Sequence, residues 1–239
     1  MIFLHSDLIG ENNALFLTLV ASTLFALLVG VGFHEACHAF MADRLGDRTP
    51  QSQGRVTLNP LAHLDPIGTL MMLFIGFGWG KPVQFNPYGL KTSPKTATLL
   101  VAAAGPLSNF VAAFLLALPI QFDLVPYINP FSTRIIGIET TEQYVGLFLS
   151  AAVYLSIILG VFNLIPLEPL DGFKVALGLL PDPLAQEFAK LRQFGVGPFL
   201  MLVFGIPFIT SYFGNTYSPL SDIMAPTAQW LLRAFTGIG

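Results

Sequence analysis

Two histidines and a glutamate stand close together in the pentapeptide His34-Glu35-Ala36-Cys37-His38. On a helix, residues four apart lie on one face, so His34 and His38 can direct ring nitrogens at one metal ion, with Glu35 beside them. Two imidazoles and a nearby carboxylate are the usual groups around a zinc ion that activates water. The pattern predicts His34 and His38 as ligands. The alternative is two helix histidines that bond other buried polar groups.

The motif closes a run of residues, 14–33, that contains no charged side chain. Ionisable groups inside a membrane segment are costly and are usually kept there for a function. The whole chain of 239 residues is 54% hydrophobic and 10% charged, with a mean hydropathy of +0.68. This composition excludes a soluble globular domain and indicates an integral membrane protein. The net charge of -3 gives no indication of a nucleic-acid partner.

The lone cysteine excludes an internal disulfide. Cys37 stands between the two histidines, so it could be a metal ligand, but a small buried side chain is the favoured interpretation.

Apolar runs and turn residues predict an all-α polytopic bundle of about four to five transmembrane helices, formed by a single membrane-embedded domain over 1–239. Asn12 or Asn13 should cap the first helix. The metal should sit roughly 13 Å inside the end of that helix, since His34 precedes Asp43 by nine residues. The predicted elements are a metal helix over 14–43, a cytoplasmic or re-entrant segment over 44–95, spans over 96–120, 144–163 and 195–212, and a short or interfacial helix over 224–238.

The segment 44–95 holds more than half of the basic residues of the chain. By the positive-inside rule this segment is cytoplasmic, which puts the N-terminus outside and the metal site near the cytoplasmic side. Pro198 and Pro207 should bend the last predicted span.

Within the same segment, the apolar stretch 67–77 is too short to cross and predicts a re-entrant or interfacial element. Gly78 and Gly80 indicate a tight turn that leads into a short strand over 82–85, whose open edge could bind an extended peptide. A plain interfacial loop anchored by Trp79 is the alternative. His63 and Asp65 could support the metal ligands or gate the site, or they could have capping and turn roles.

Later in the chain, the small residues of 102–109 should pack against the metal helix. Asn109 could donate to a substrate oxyanion or form an interhelical hydrogen bond. After the third span, Pro166 and Pro169 should stop the helix so that Asp171 points back into the bundle as a third ligand. Glu168 is the competing carboxylate, although its place between the prolines suits a solvated loop better.

Three motifs together resemble the site-2 proteases, zinc metalloproteases that cut transmembrane segments within the membrane: His34-Glu35-x-x-His38, Gly105-Pro106-Leu107-Ser108-Asn109, and Asn163-Leu164-Ile165-Pro166 followed by Pro169-Leu170-Asp171-Gly172. The resemblance implies one Zn²⁺ per chain held by His34, His38 and Asp171, and Glu35 as the catalytic base. It also implies a membrane-protein substrate and a re-entrant strand region around 78–85.

Many members of that family carry an additional helix before the metal helix, or a PDZ or CBS domain, so a minimal form is expected here, in the cell membrane. The alternative function is a metal-binding membrane protein without hydrolytic activity, such as a transporter or an inactive relative.

Overall fold

The computed structural model describes residues 12–75, 78–89, 91–131, 138–214 and 217–238. Most of these residues are helical. The α-helices are α1 (Asn13–Leu45), α2 (Thr49–Ser52), α3 (Pro66–Ile75), α4 (Pro94–Gln121), α5 (Thr141–Asn163), α6 (Asp171–Leu179), α7 (Asp182–Ala189), α8 (Gly197–Leu200), α9 (Ile206–Tyr212) and α10 (Pro219–Thr236). Short 3₁₀ turns occur at Pro60–Ala62, Pro87–Gly89 and Lys190–Phe194.

Helix α1, which carries the His34–His38 motif, was predicted over 14–43. It begins one residue earlier and ends two residues later. Asn12 caps it, because its side-chain oxygen accepts a hydrogen bond of 3.0 Å from the Leu15 amide. The helix ends at Gly46, whose φ of 108° is a left-handed conformation that favours glycine. The predicted polar lead before residue 12 lies outside the described residues.

Helices α4 and α5 form the rest of the central bundle, and both pack against α1. Ser93 caps α4, and Pro94 occupies its first turn, where a missing N–H costs nothing. At the start of α5, Thr140 and Gln143 form a reciprocal capping box, and this helix begins three residues before its predicted start. The prediction that the small residues of α4 face the metal helix is confirmed.

Among the described residues, three helices, α1, α4 and α5, are long and apolar enough to cross a membrane. The helical segments Asp182–Phe194 and Gly197–Tyr212 would add a fourth span if together they form one bent span. The bend of 71° lies between Phe194 and Gly197. It lies at the start of the span predicted over 195–212, before Pro198 and Pro207, and bending at these prolines stays a prediction. Pro207 follows a π-helical turn at Met201–Gly205, which adjusts the backbone before a residue that has no N–H.

Helix α10 packs against α4 and α5, and its Met224 and Ala228 join an apolar core with Val153 and Ile157 of α5. It covers most of the element predicted over 224–238, starts five residues earlier, and is not among the helices apolar enough to span. An interfacial position for it stays a prediction.

The strand predicted over 82–85 is not formed. Among the described residues, the pairing here is a single antiparallel bridge between Leu64 and Gly80, in which the Lys81 amide donates to the His63 carbonyl at 2.7 Å. The ladder does not continue, because the His63 amide donates to the Pro60 carbonyl and the Val83 amide donates to Glu35 Oε2. The apolar stretch before it forms the ten-residue helix α3, and Phe77 lies outside the described residues.

Candidate metal centre

Three side chains from two distant parts of the chain meet inside the bundle. His34 Nε2 and His38 Nε2 lie 2.9 and 3.0 Å from Asp171 Oδ2, and the two ring nitrogens lie 3.0 Å apart. All three residues are buried. Their ligand atoms are close enough to one another to hold one metal ion.

Asp171 reaches the histidines because α5 stops at Asn163 and the chain turns before α6 begins. Asp171 is the first residue of α6, and Gly172 lies so close to the Leu164 carbonyl that a Cβ would not fit. The competing Glu168 accepts a hydrogen bond of 3.1 Å from Arg192 Nε, away from the histidines. The turn therefore brings Asp171, and not Glu168, to the histidine pair.

The ring nitrogens that point away from this cluster contact α4. His38 Nδ1 lies 2.6 Å from the Val101 carbonyl oxygen, and His34 Nδ1 lies 3.2 Å from the Asn109 side-chain amide. Asn109 is 1% exposed, and its Oδ1 has no partner among the described residues. Of its two predicted roles, the structure shows the interhelical contact; a role in binding the oxyanion stays a prediction.

Gly105 of α4 leaves space for both imidazoles. A Cβ at this position would lie 2.7 Å from His34 Nε2 and closer still to His38 Nε2. Two imidazole nitrogens and a carboxylate oxygen are a ligand set typical of catalytic zinc, which keeps its fourth position open. The three side chains and the space beside them therefore suit a zinc ion.

Glu35 borders the same cavity as the three candidate ligands. This cavity has a volume of about 690 Å³ and is also bordered by Asn109 and Lys174. Glu35 Oε2 accepts a hydrogen bond of 3.2 Å from the Val83 amide. The carboxylate thus lies between the histidine pair of α1 and the extended segment after Gly80.

The segment 78–86 borders this cavity and is attached at both ends. A Cβ on Gly80 would lie 2.7 Å from Val31 Cγ1 and 3.2 Å from Glu35 Cγ, so only glycine allows this close approach to α1. Gly78 packs equally closely on α3, against Met72. At the other end, the Asn86 amide donates to Asp47 Oδ2 at 2.6 Å.

Two residues that anchor the segment were not predicted from the sequence. Burial raises the pKa of Asp47, but hydrogen bonds from Thr49 and Asn86 outweigh it and hold this pKa below its usual value. Arg55 Nη1 donates to the carbonyls of Ala62 and Lys81, at 2.7 and 3.3 Å. No spacing rule links either residue to the motif helix, which is why the sequence does not reveal them.

His63 and Asp65 do not reach the ligand cluster. His63 Nε2 lies 3.0 Å from the Thr57 carbonyl, inside its own loop. Asp65 Oδ1 accepts a hydrogen bond of 2.8 Å from the Gly68 amide at the start of α3. These contacts are the turn and capping contacts that the alternative interpretation expected.

Lys174 is a further charged group in the cavity that the sequence did not single out. Its Nζ lies 3.6 Å from Asp171 Oδ1, the carboxylate oxygen that faces away from the histidines. A carboxylate must be ionised to bind a metal ion, and the positive charge of Lys174 favours the ionised form of Asp171.

A buried cluster of two histidines and an aspartate, next to a glutamate and inside a bundle of apolar helices, is typical of a membrane metallohydrolase. Comparison with known proteins narrows this class. The family model described as Peptidase family M50 matches residues 22–204. The chain belongs to this family, that of the site-2 proteases, and is a zinc metallopeptidase with Zn²⁺ as its cofactor.

Similar proteins include YwhC of Bacillus subtilis (strain 168) and Rip2 of Mycobacterium tuberculosis (strain ATCC 25618 / H37Rv), each named "Putative zinc metalloprotease". YwhC is 36% identical over 186 residues, which cover 78% of this chain and 81% of YwhC. Rip2 is 29% identical over 204 residues, which cover 82% of this chain and 71% of Rip2. No solved structure matches the chain significantly.

Proposed function

We propose that this membrane metalloprotease is an intramembrane zinc endopeptidase that cleaves transmembrane or membrane-proximal segments of membrane proteins. One observation carries the proposal: His34, His38, Asp171 and Glu35 all border one cavity inside a bundle of apolar helices. In this proposal His34, His38 and Asp171 hold the zinc ion, and Glu35 is the general base.

Zinc bound there would lower the pKa of a water molecule towards neutrality and polarise the peptide carbonyl. Glu35 would accept the proton of that water at a carboxylate oxygen and later pass it to the leaving nitrogen. The hydrogen bond from the Val83 amide to Oε2 holds the carboxylate in the cavity and leaves its other oxygen available for the proton. Lys174 would hold the outer oxygen of Asp171, so that Oδ2 stays directed at the histidines.

The walls of the cavity suit an apolar substrate segment. Phe162, Phe199, Val203 and Met224 line part of it. A helical substrate hides its carbonyls in hydrogen bonds, so it must unwind locally before Glu35 can direct water at one of them. We therefore expect helix-breaking residues near the cleavage site to favour cleavage.

We propose the topology in which the N-terminus is outside and the cavity opens near the cytoplasmic side. The ligand cluster lies towards the end of the bundle where α1 finishes and α4 begins, and Arg44 and Lys95 flank that end. A cysteine introduced at the exposed Gln51, in a Cys37→Ala background, should react with a membrane-impermeant thiol reagent only in inverted vesicles. Reaction in right-side-out vesicles would contradict this topology.

Replacement of the proposed base tests the catalytic assignment. Glu35→Gln should keep one zinc per chain and lower the cleavage rate of a transmembrane peptide in detergent by about 10²–10⁴-fold, the usual contribution of a general base. Glu168→Gln is the matched control, because it removes a glutamate that bonds Arg192 outside the cluster. Cleavage by Glu35→Gln at the parent rate, or loss of its zinc, would contradict the role assigned to Glu35.

A further inference from the structure

We infer that Asn109 accepts a hydrogen bond from His34 Nδ1–H through its side-chain oxygen, so that α4 sets the tautomer of both histidines that hold the metal. This inference rests on the proposed metal site and assigns Asn109 a positioning role. It replaces the alternative in which Asn109 donates to the substrate oxyanion.

The first step concerns where the two imidazoles carry their protons. A ring nitrogen that binds a metal has no proton, so in a neutral ligand histidine the other nitrogen is the N–H. Here Nε2 of both rings points at the cluster with Asp171, which leaves Nδ1 as the N–H on each ring. Each Nδ1–H therefore needs an acceptor.

For His38 the acceptor is a backbone carbonyl of α4. Its Nδ1 lies 2.6 Å from the Val101 oxygen, and a carbonyl can only accept. This contact alone forces the proton of His38 onto Nδ1.

For His34 the neighbouring group is the Asn109 amide. With its Nδ2 placed 3.2 Å from His34 Nδ1, two donors would face each other, while Asn109 Oδ1 is buried without a partner among the described residues. The two ends of an amide have nearly the same shape, so hydrogen bonding decides their orientation. A half-turn of the amide brings Oδ1 to His34 Nδ1–H and forms the missing hydrogen bond.

The arrangement follows one face of α4. Val101, Gly105 and Asn109 are spaced four residues apart, and they meet His38 and His34 in antiparallel order. The outer two residues supply acceptors for the Nδ1 atoms, and Gly105 between them leaves space beside the Nε2 atoms. One helix face therefore orients both imidazoles.

The consequence for metal binding can be measured. Loss of a hydrogen-bond partner behind a metal-ligating histidine typically weakens metal affinity by about 10–100-fold. Asn109→Leu removes the acceptor at similar volume, and Asn109→Asp keeps an acceptor at the same position. Asn109→Ala removes the acceptor without adding bulk, in case the leucine variant does not fold.

The experiment measures the zinc dissociation constant of the full-length protein in detergent, by competition with a chelator, together with kcat and KM for a transmembrane peptide. Asn109→Leu and Asn109→Ala should weaken zinc binding by about 10–100-fold, whereas Asn109→Asp should stay within about threefold of the parent. Ser108→Ala is the control, since Ser108 bonds the Gly105 carbonyl and borders a different cavity.

Two results would overturn the inference. Parent-like zinc affinity in Asn109→Leu and Asn109→Ala, with a lower kcat, would restore the oxyanion role. An equal loss of zinc affinity in Asn109→Asp and Asn109→Leu would show that the amide is needed for packing or as a donor. If the parent itself binds no zinc, the proposed metal site fails, and this inference fails with it.

Discussion

Two cavities border α1 on different faces, and they differ in the groups that line them more than in size. The larger, of about 840 Å³, lies between α1 and α4 and is lined almost entirely by apolar side chains, with Cys37 and Ser108 among them and Arg44 at one end. The smaller, of about 690 Å³, contains both histidines, Glu35, Asp171 and Lys174. The polar groups, and not the volume, identify the candidate active site.

The comparison also separates two neighbours in the motif. Cys37 and His38 are adjacent in sequence, yet they border different cavities because successive helical residues point about 100° apart. The apolar cavity is lined in part by exposed residues such as Leu107 and Val111, which suit contact with lipid. Its described lining residues include no group that indicates catalysis. In the polar cavity, Glu35 and Asp171 each bond groups from distant parts of the chain.

The largest expected effect is the loss of the third ligand. Asp171→Ala removes one of three candidate ligands, so cleavage should be lost. Zinc affinity should fall further than when a residue that only orients a ligand is lost, a change that weakens it by about 10–100-fold. Zinc content per chain and peptide cleavage measure this. Glu168→Ala is the control; zinc that stays at one per chain in Asp171→Ala would show that another residue is the ligand.

An intermediate effect is expected where α4 meets the polar cavity. Gly105→Ala places a methyl group against both ligand nitrogens, so zinc affinity should fall by about tenfold or more while the helices remain folded. Gly197→Ala is a matched control, because a Cβ there has open space around it. Equal zinc affinity in the two variants would mean that the cluster does not need the space beside Gly105.

The smallest effect is expected in the apolar cavity. Cys37→Ala should leave zinc content unchanged, keep the cleavage rate within about twofold, and change the free energy of unfolding by no more than about 1 kcal/mol. Zinc analysis and a thermal unfolding curve measure both. A clear loss of zinc would make Cys37 a ligand and would remove the distinction between the two cavities.

Much of the fold could be predicted because its signals are local. The charge-free run before His34, the Asn12 cap and the small residues of α4 each act within a few turns of helix. The prediction of a strand over 82–85 was wrong for a different reason. Pairing with Leu64 ended at Gly80 because the Val83 amide bonds Glu35, which lies 48 positions away in the sequence.

The sequence by itself determined the membrane class, the all-α bundle and the histidine pair, since helical periodicity places residues four apart on one face. It also made Asp171 the favoured carboxylate without excluding Glu168. Only the tertiary structure brought Asp171 to histidines 137 and 133 positions away, and Asn109 to His34 across 75. Contacts at such separations depend on how three helices pack, and no local pattern encodes that packing.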